Sequence, residues 1–150
     1  MNKQFIIAVS LFIFLSQHSF SQKRNVAEEN ANKKTVTEFY QRLFGDKDLS
    51  VIDTYIVEDY IQHNPYAADG RQALKEFATK LLSHAPKIKV DFQHVAADGD
   101  LVFLHVKAKN FDGKDMALVD IFRLKNGKIV EHWDVMQDVP ATAANAHPMF

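Results

Sequence analysis

Apolar residues recur at helical spacing in the first half of the chain. Three groups of them, within 36–44, 49–56 and 74–82, repeat every three or four positions, which is typical of helices that bury one face. Gly45 follows the first group as a stop signal, and Gly70 opens the third. The pattern therefore predicts three helices, with an extended segment over 58–65 between the second and the third.

From Lys87 onward the apolar spacing changes to two, which is typical of strands. Four such segments, 88–96, 101–109, 116–124 and 129–137, are separated by Asp98-Gly99, Asp112-Gly113 and Asn126-Gly127, which are strong signals for hairpin turns. The sequence thus predicts an α+β fold, in which three N-terminal helices pack on a curved, antiparallel, four-stranded meander.

Two-residue turns fix which residues face each other across a hairpin. Turns at the three dipeptides align one row across the four strands: Phe92, His105, Asp120 and Trp133. Directly opposed residues share a face, so His105 is predicted beside Asp120. Phe103 and Phe122 are predicted on that same face, where aromatic walls would enclose the imidazole and the carboxylate.

A buried Asp120–His105 pair has two interpretations. Burial and the charge of the partner shift the pKa values of such groups in opposite directions, which can bring the pKa values of an acid–base pair close to the working pH. Alternatively, the two side chains form an ordinary satisfied polar contact. A bulge or a longer loop in any of the hairpins would shift the row.

Other polar residues offer further hypotheses. His63 and Asn64 precede Pro65 and either close the rim of a pocket or serve as turn residues. His132 and Asp134 alternate with Trp133, so we expect them on the opposite face, in solvent or at a dimer interface.

Metal and nucleotide sites have little support in the sequence. A metal set of His63, His105 and Asp120 is conceivable, but no close-spaced ligand pair such as HxH supports it, and we predict no metal or cofactor. Phosphate-binding glycine motifs and a GxSxG motif are lacking too.

The ends of the chain differ from its centre. Residues 1–21 show a basic residue, an apolar run and small polar residues, the order of a secretory signal peptide cleaved after Ser21; an uncleaved anchor is the alternative. Residues 22–33 lack apolar periodicity and are interpreted as a flexible lead-in, and 139–150 as a loose or docking tail. We therefore expect an exported protein, periplasmic or secreted, with no membrane contact after cleavage.

Composition narrows the function classes. The 150 residues suit one domain, and 47% hydrophobic residues exclude a disordered chain. A net charge of −1 argues against nucleic-acid binding, and the lack of cysteine excludes disulfides and a cysteine nucleophile.

Two stretches carry a family resemblance: YIQHNP at 60–65 and VDIFRLKNGKIVEHWDVMQ at 119–137. Together they resemble the SnoaL-like polyketide cyclase branch of the NTF2-like superfamily, over roughly 34–138. The resemblance implies a cone-shaped α+β barrel around a deep apolar pocket, frequent dimerisation through the sheet, and chemistry without a cofactor. It also implies an acid/base role for Asp120, which matches the pocket aspartate of the cyclases.

Three functions remain open at this point. The first is an acid/base enzyme of aldol-condensation, cyclase or isomerase type. In it Asp120 takes a proton from a small apolar carbonyl compound, His105 assists, and the substrate contacts are His63, Asn64, Phe92, Phe103, Phe122 and Trp133. The second is an exported module that binds a small hydrophobic ligand without chemistry. The third is a homodimeric interaction module, which the lack of a cavity beside Asp120 would favour.

Overall fold

The computed structural model describes residues 24–110 and 112–150, so the predicted signal peptide over 1–21 lies outside the described residues. The elements are α1 (Val26–Tyr40) with a π-helical turn (Gln41–Gly45), α2 (Ser50–Tyr55), β1 (Ile56–Gln62), α3 (Arg71–Leu82), β2 (Asp91–Asp98), β3 (Leu101–Lys109), β4 (Asp115–Lys125) and β5 (Lys128–Asp138). Three helices followed by a β2–β5 meander confirm the predicted α+β class. Within the described residues, no helix is both long and apolar enough to cross a membrane.

The sheet has one strand more than the sequence analysis predicts. Its order is β1-β5-β4-β3-β2, and β1 pairs in parallel with β5. This fifth strand forms where an extended segment is predicted over 58–65. Ile56 and Tyr60 are each 2% exposed, so the segment packs into the core as well as pairing with the sheet edge.

The core lies between the helices and one face of the sheet, which we call the inner face. Its strand residues alternate with half-buried neighbours, as expected for a sheet covered on one side. The largest core side chains with less than 3% exposure are Phe39, Leu43, Ile52, Ile56, Tyr60, Leu104, Phe122 and Ile129. The opposite, outer face carries the odd-numbered residues of β3 and β4.

Helix α1 begins earlier than the apolar pattern predicts. Asn25 caps it by accepting a hydrogen bond from the Glu28 backbone N–H at 3.2 Å. Glu29 is only 3% exposed, and it binds the Arg24 guanidinium and the Gly99 backbone N–H. Polar contacts thus anchor this turn, and the interpretation of 22–33 as a flexible lead-in is wrong from residue 26 onward.

The predicted register between β3 and β4 is wrong by one residue. The ladder ends at the pair Lys109 and Asp115, so the connection is longer than a two-residue turn. The Asn110 side chain explains the longer connection, because its Oδ1 accepts two backbone N–H groups of the loop. As a result Asp120 lies opposite Leu104, and not opposite His105.

The two outer hairpins also shift. In the β2–β3 hairpin the last pair is Asp98 and Leu101, so the turn is Gly99-Asp100 and His94 lies opposite His105. A bulge after Phe92 then places Phe92 opposite Val106. The Asn126-Gly127 turn forms where predicted, between Lys125 and Lys128.

A bulge then shifts the β4–β5 ladder beyond that turn. It lies between Arg123 and Leu124 and leaves Val130 without a partner. Asp120 therefore lies opposite Asp134, and Trp133 lies opposite Ile121. The predicted row across four strands does not exist, because each hairpin contributes its own offset.

Candidate functional site

A buried carboxylate lies at the centre of the inner face. Asp120 is 4% exposed, and both of its oxygens are hydrogen-bonded. The Tyr40 hydroxyl donates to Oδ2 at 3.0 Å, and His132 Nε2 lies 3.1 Å from Oδ1. A carboxylate can be held in such a place because these donors replace the water that it loses.

The second nitrogen of the His132 ring is also fixed. Nδ1 lies 2.9 Å from the Gln62 side-chain oxygen, and that oxygen accepts the Asn64 backbone N–H at 2.9 Å. Because the Gln62 side-chain oxygen can only accept a hydrogen bond, Nδ1 of His132 is the donor in this contact. Nε2 is therefore the ring nitrogen that faces Asp120 Oδ1.

A second carboxylate completes the site. Asp134 is directly opposite Asp120 across the β4–β5 ladder and is half-buried. Its Oδ2 accepts the Asn64 side-chain N–H at 2.6 Å. Asn64 itself is 8% exposed, and its position is fixed by the hydrogen bond from the Tyr66 backbone N–H to its Oδ1.

Tyr40 connects the site to the helical layer. It is the last residue of α1, immediately before the π-helical turn, and is 6% exposed. Burial, followed by the negative charge of Asp120, holds the pKa of Tyr40 well above its ordinary value of 10.0. The hydroxyl therefore keeps its proton throughout the physiological pH range and remains a donor to Asp120.

Aromatic rings surround this polar network on the inner face. The Tyr40 ring lies 5.8 Å from that of Phe92 and 6.3 Å from that of Phe122, both edge-on. Phe122 also packs 4.6 Å from the His132 ring. Phe92 and Phe122 thus both pack against Tyr40, the residue that donates to Asp120.

The remaining predicted site residues lie on the outer face. His105 pairs with His94, with their Nδ1 atoms 3.1 Å apart and their rings parallel within 4°. Phe103 lies opposite Ile121 and alternates with the buried Val102 and Leu104. The prediction that Asp120 and His105 form a pair is therefore wrong.

His63 and Trp133 form a second outer-face group. Their rings stack at 4.7 Å, and His63 Nε2 lies 2.9 Å from the Glu131 carboxylate, which also binds Arg123. The His63 contact, together with Arg123, holds the pKa of Glu131 below its ordinary value. His63 and Asn64 are adjacent in sequence but point to opposite faces, so only Asn64 reaches the polar network.

Four residues of the network are missed by the sequence analysis or misplaced by it. His132 and Asp134 are expected there in solvent or at an interface, yet His132 is 8% exposed and Asp134 is half-buried on the inner face. Gln62 and Tyr40 are not singled out as site residues at all. The available signal was the i, i+2 spacing of His132 and Asp134, which places both on one face of a strand.

Little of the network is open to solvent, since Asp120 is 4% exposed and His132 is 8% exposed. The two best-formed hollows in the described residues have volumes of about 340 and 520 Å³, and neither of them includes Asp120. The first lies along α3 beside Leu49, and the second lies along the β1–β5 edge. Inner-face residues become more exposed toward the C-terminal end of β5, from 4% at Asp120 to 45% at Met136. The network therefore approaches solvent at that end.

Residues 36–132, more than half of the chain, match the SnoaL-like domain family. The chain belongs to this family. Asp120, His132, Tyr40 and Asn64 all lie within the matched region of the SnoaL-like domain. No curated protein sequence matches the chain significantly.

Solved structures agree on the fold of this SnoaL-like domain. An NTF-2 like protein of unknown function from Burkholderia xenovorans aligns with a TM-score of 0.63 at 16% identity, over 77% of this chain and 89% of the other. A candidate polyketide cyclase from Acidithiobacillus ferrooxidans aligns with a TM-score of 0.61 at 20% identity, over 71% and 87%. An LEH-like epoxide hydrolase from M. tuberculosis gives 0.61 at 16% identity, over 73% and 85%. At these identities the similarity shows the NTF2-like fold alone.

Proposed function

We propose that this SnoaL-like protein is an acid–base enzyme that moves a proton on a small apolar carbonyl compound. The observation that carries the proposal is the buried Asp120 carboxylate, bonded on one oxygen to His132 and on the other to Tyr40. Burying a carboxylate costs free energy that an apolar residue at this position would not cost. A carboxylate in contact with an imidazole can pass a proton to it, which suits general acid–base catalysis.

The chemistry follows from the order of the contacts. Asp120 takes a proton from the carbon next to the carbonyl group, the C–H electron pair moves to the carbonyl oxygen, and an enolate forms. His132 accepts or returns the proton through Nε2, while Gln62 holds its ring in place. The enolate then attacks a second carbonyl carbon, as in aldol ring closure, or takes the proton back at another carbon, as in isomerisation. Phe92 and Phe122 supply the apolar surroundings.

We expect a substrate to enter at the C-terminal end of β5. Asp134 and Met136 are the more exposed members of the inner face, and they lie toward that end. Because Asp120 is 4% exposed, side chains around it must move to admit a substrate. Relatives in the structural comparison with names of cyclase and epoxide hydrolase type support an enzyme of this general class.

Proton abstraction can be tested before any natural substrate is known. The chelator-treated protein is incubated with a panel of small apolar ketones in D₂O, and NMR follows deuterium incorporation next to the carbonyl. We expect accelerated exchange for at least one ketone, and a loss of about 10²-fold or more in Asp120→Asn. His105→Ala on the outer face is the matched control and should leave exchange unchanged. Exchange by Asp120→Asn within about threefold of the parent would contradict the assignment of the base.

A second candidate function is a non-catalytic binding or interaction module. It is favoured by the closed network and by the exposure of Ile61, Val119 and Val135, which are 47%, 40% and 69% exposed. These apolar side chains would suit self-association through the outer face of the sheet. Sedimentation of the parent and of Val135→Lys tests this, since a homodimer through that face should dissociate in the variant.

Export remains part of the proposal. The apolar run and small residues of 1–21 are the support for it. Mass spectrometry of the protein from its native host should find a chain that begins at Gln22. A full-length chain in the cell would contradict export by cleavage.

A further inference from the structure

Three metal-ligating side chains converge on the inner face. Asp120, His132 and Asp134 each place one ligand atom within 4.8 Å of the other two. We propose that these three residues bind one divalent transition-metal cation. The set differs from the metal set considered in the sequence analysis, because His63 and His105 lie on the outer face.

The backbone brings the three ligands together. His132 and Asp134 are two positions apart on β5 and therefore share a face, and Asp134 is the direct partner of Asp120 on β4. His132 Nε2 and Asp120 Oδ1 are 3.1 Å apart. Ligands bound at about 2.0–2.2 Å in neighbouring coordination positions lie roughly 3 Å apart, so this pair already has the separation that one ion needs.

Each proposed ligand is also held from outside the cluster. The Gln62 oxygen fixes His132 Nδ1, the Tyr40 hydroxyl fixes Asp120 Oδ2, and the Asn64 amide fixes Asp134 Oδ2. Histidine ligands in metal sites commonly donate their other N–H to an oxygen, and carboxylate ligands are hydrogen-bonded in turn. Bonds from three different residues therefore hold the ring and the two carboxylates in place, with one ligand atom of each within 4.8 Å of the other two.

The charge balance also favours a cation. In residues 24–110 and 112–150, the side-chain hydrogen-bond partners of the two carboxylates are Tyr40, His132 and Asn64. Of these, only the imidazole can carry a positive charge. Two carboxylates at directly opposed strand positions repel each other, and a divalent ion between them would replace the repulsion with two attractive contacts.

The donor atoms indicate the class of ion. One imidazole nitrogen with two carboxylate oxygens suits Zn²⁺, Co²⁺, Mn²⁺ or Fe²⁺, whereas Mg²⁺ favours oxygen ligands alone. Three protein ligands leave at least one coordination position open. The inference goes beyond the proton-transfer proposal and does not depend on it, because metal binding is measured without any substrate.

The test uses untagged, chelator-treated protein and Zn²⁺ alone, followed by calorimetry and by thermal unfolding. We expect one Zn²⁺ per chain and a raised melting temperature, because an ion that binds only the folded state stabilises it. Asp134→Asn should weaken binding by at least the roughly tenfold that loss of a hydrogen-bond partner of a metal ligand costs, and should remove the thermal shift. Asp134 is half-buried, so this variant is the one best suited to keep the fold, and its circular dichroism is compared with that of the parent.

The rival site is the outer-face histidine pair, whose Nδ1 atoms are 3.1 Å apart. The variant His94→Ala/His105→Ala should keep the full Zn²⁺ stoichiometry and affinity. Co²⁺ absorption gives a second readout: its visible bands should appear in the parent and in the outer-face variant, and be lost in His132→Gln. The proposal is overturned if Zn²⁺ binding survives Asp134→Asn unchanged, if it is lost in the outer-face variant, or if the parent binds no Zn²⁺ at micromolar concentrations.

Discussion

The two faces of the sheet hold similar residues in opposite arrangements. On the inner face, His132, Asp120 and Tyr40 form a continuous hydrogen-bonded network with 8% exposure or less. On the outer face, histidines stack on each other or on Trp133, and their partners are exposed or half-buried. A histidine beside an aromatic ring occurs on both faces, so residue type alone does not identify the site. The inner face differs because both oxygens of Asp120 and both ring nitrogens of His132 have directed partners.

The first test compares the two histidines. His132→Leu leaves the Asp120 carboxylate buried with one of its two partners missing. Loss of one partner from a buried charged pair lowers the free energy of unfolding by about 3–5 kcal/mol. His105→Leu, on the outer face, should change it by less than about 0.5 kcal/mol. Urea unfolding at pH 7 measures both values, and equal effects would contradict the distinction between the two faces.

The second test compares two tyrosines. Tyr40→Phe removes the 3.0 Å bond to Asp120 and should lower the free energy of unfolding by about 1.5–3 kcal/mol, as expected for a bond to a charged group. Tyr55→Phe removes the 2.7 Å bond to Glu38 in an exposed setting, and should cost less than about 1 kcal/mol. A larger loss for Tyr55→Phe would show that the Tyr40–Asp120 bond is absent in solution.

The third test uses neighbours that point to opposite faces. Asn64→Ala removes the bond to Asp134 and should lower the free energy of unfolding by about 1–2 kcal/mol. His63→Ala removes an exposed stacking contact and should cost about 0.5 kcal/mol or less. Thermal unfolding of the two variants in the same buffer gives the comparison. The reverse order would contradict the orientation of this segment.

The smallest effect concerns an ion-pair group at the edge of the β3–β4 ladder. Lys109 and Lys107 lower the pKa of Asp115 below its ordinary value of 3.8. A lowered carboxylate pKa stabilises the folded state above pH 4, and this stabilisation is lost as the pH falls through the folded pKa. Asp115→Asn should therefore be slightly less stable at pH 7 and equal to the parent near pH 2. Added salt should remove the difference at pH 7, since the lysines are exposed.

Local patterns in the sequence were sufficient for the fold class and for the order of the three helices and of strands β2–β5. Alternating apolar residues gave β3 with its observed bounds, and the Asn126-Gly127 turn formed where predicted. The start of α1 could not be predicted, because Glu29 is buried by contacts with Arg24 and with Gly99, which is distant in sequence. Such contacts depend on the tertiary structure and leave no periodic signal.

The candidate site was only half predictable for a similar reason. Asp120, Asn64, Phe92 and Phe122 lie on the inner face, but each hairpin shifts the register through a side-chain-stabilised loop or a bulge. A slip of one residue moves a side chain to the other face of a sheet. His132 therefore lies on the inner face beside Asp120, and His105 lies on the outer face, which is the reverse of the prediction. The assignment of catalytic and binding roles to these residues stays a prediction.

The central claim is that Asp120 is coupled to His132 on the inner face, and not to His105. Two double-mutant cycles measure this directly by urea unfolding: Asp120→Asn with His132→Gln, and Asp120→Asn with His105→Gln. The structure predicts a coupling energy of about 1–3 kcal/mol in the first cycle, and additivity within about 0.5 kcal/mol in the second. Additivity in the first cycle together with coupling in the second would restore the register predicted from the hairpin turns and contradict the site described above.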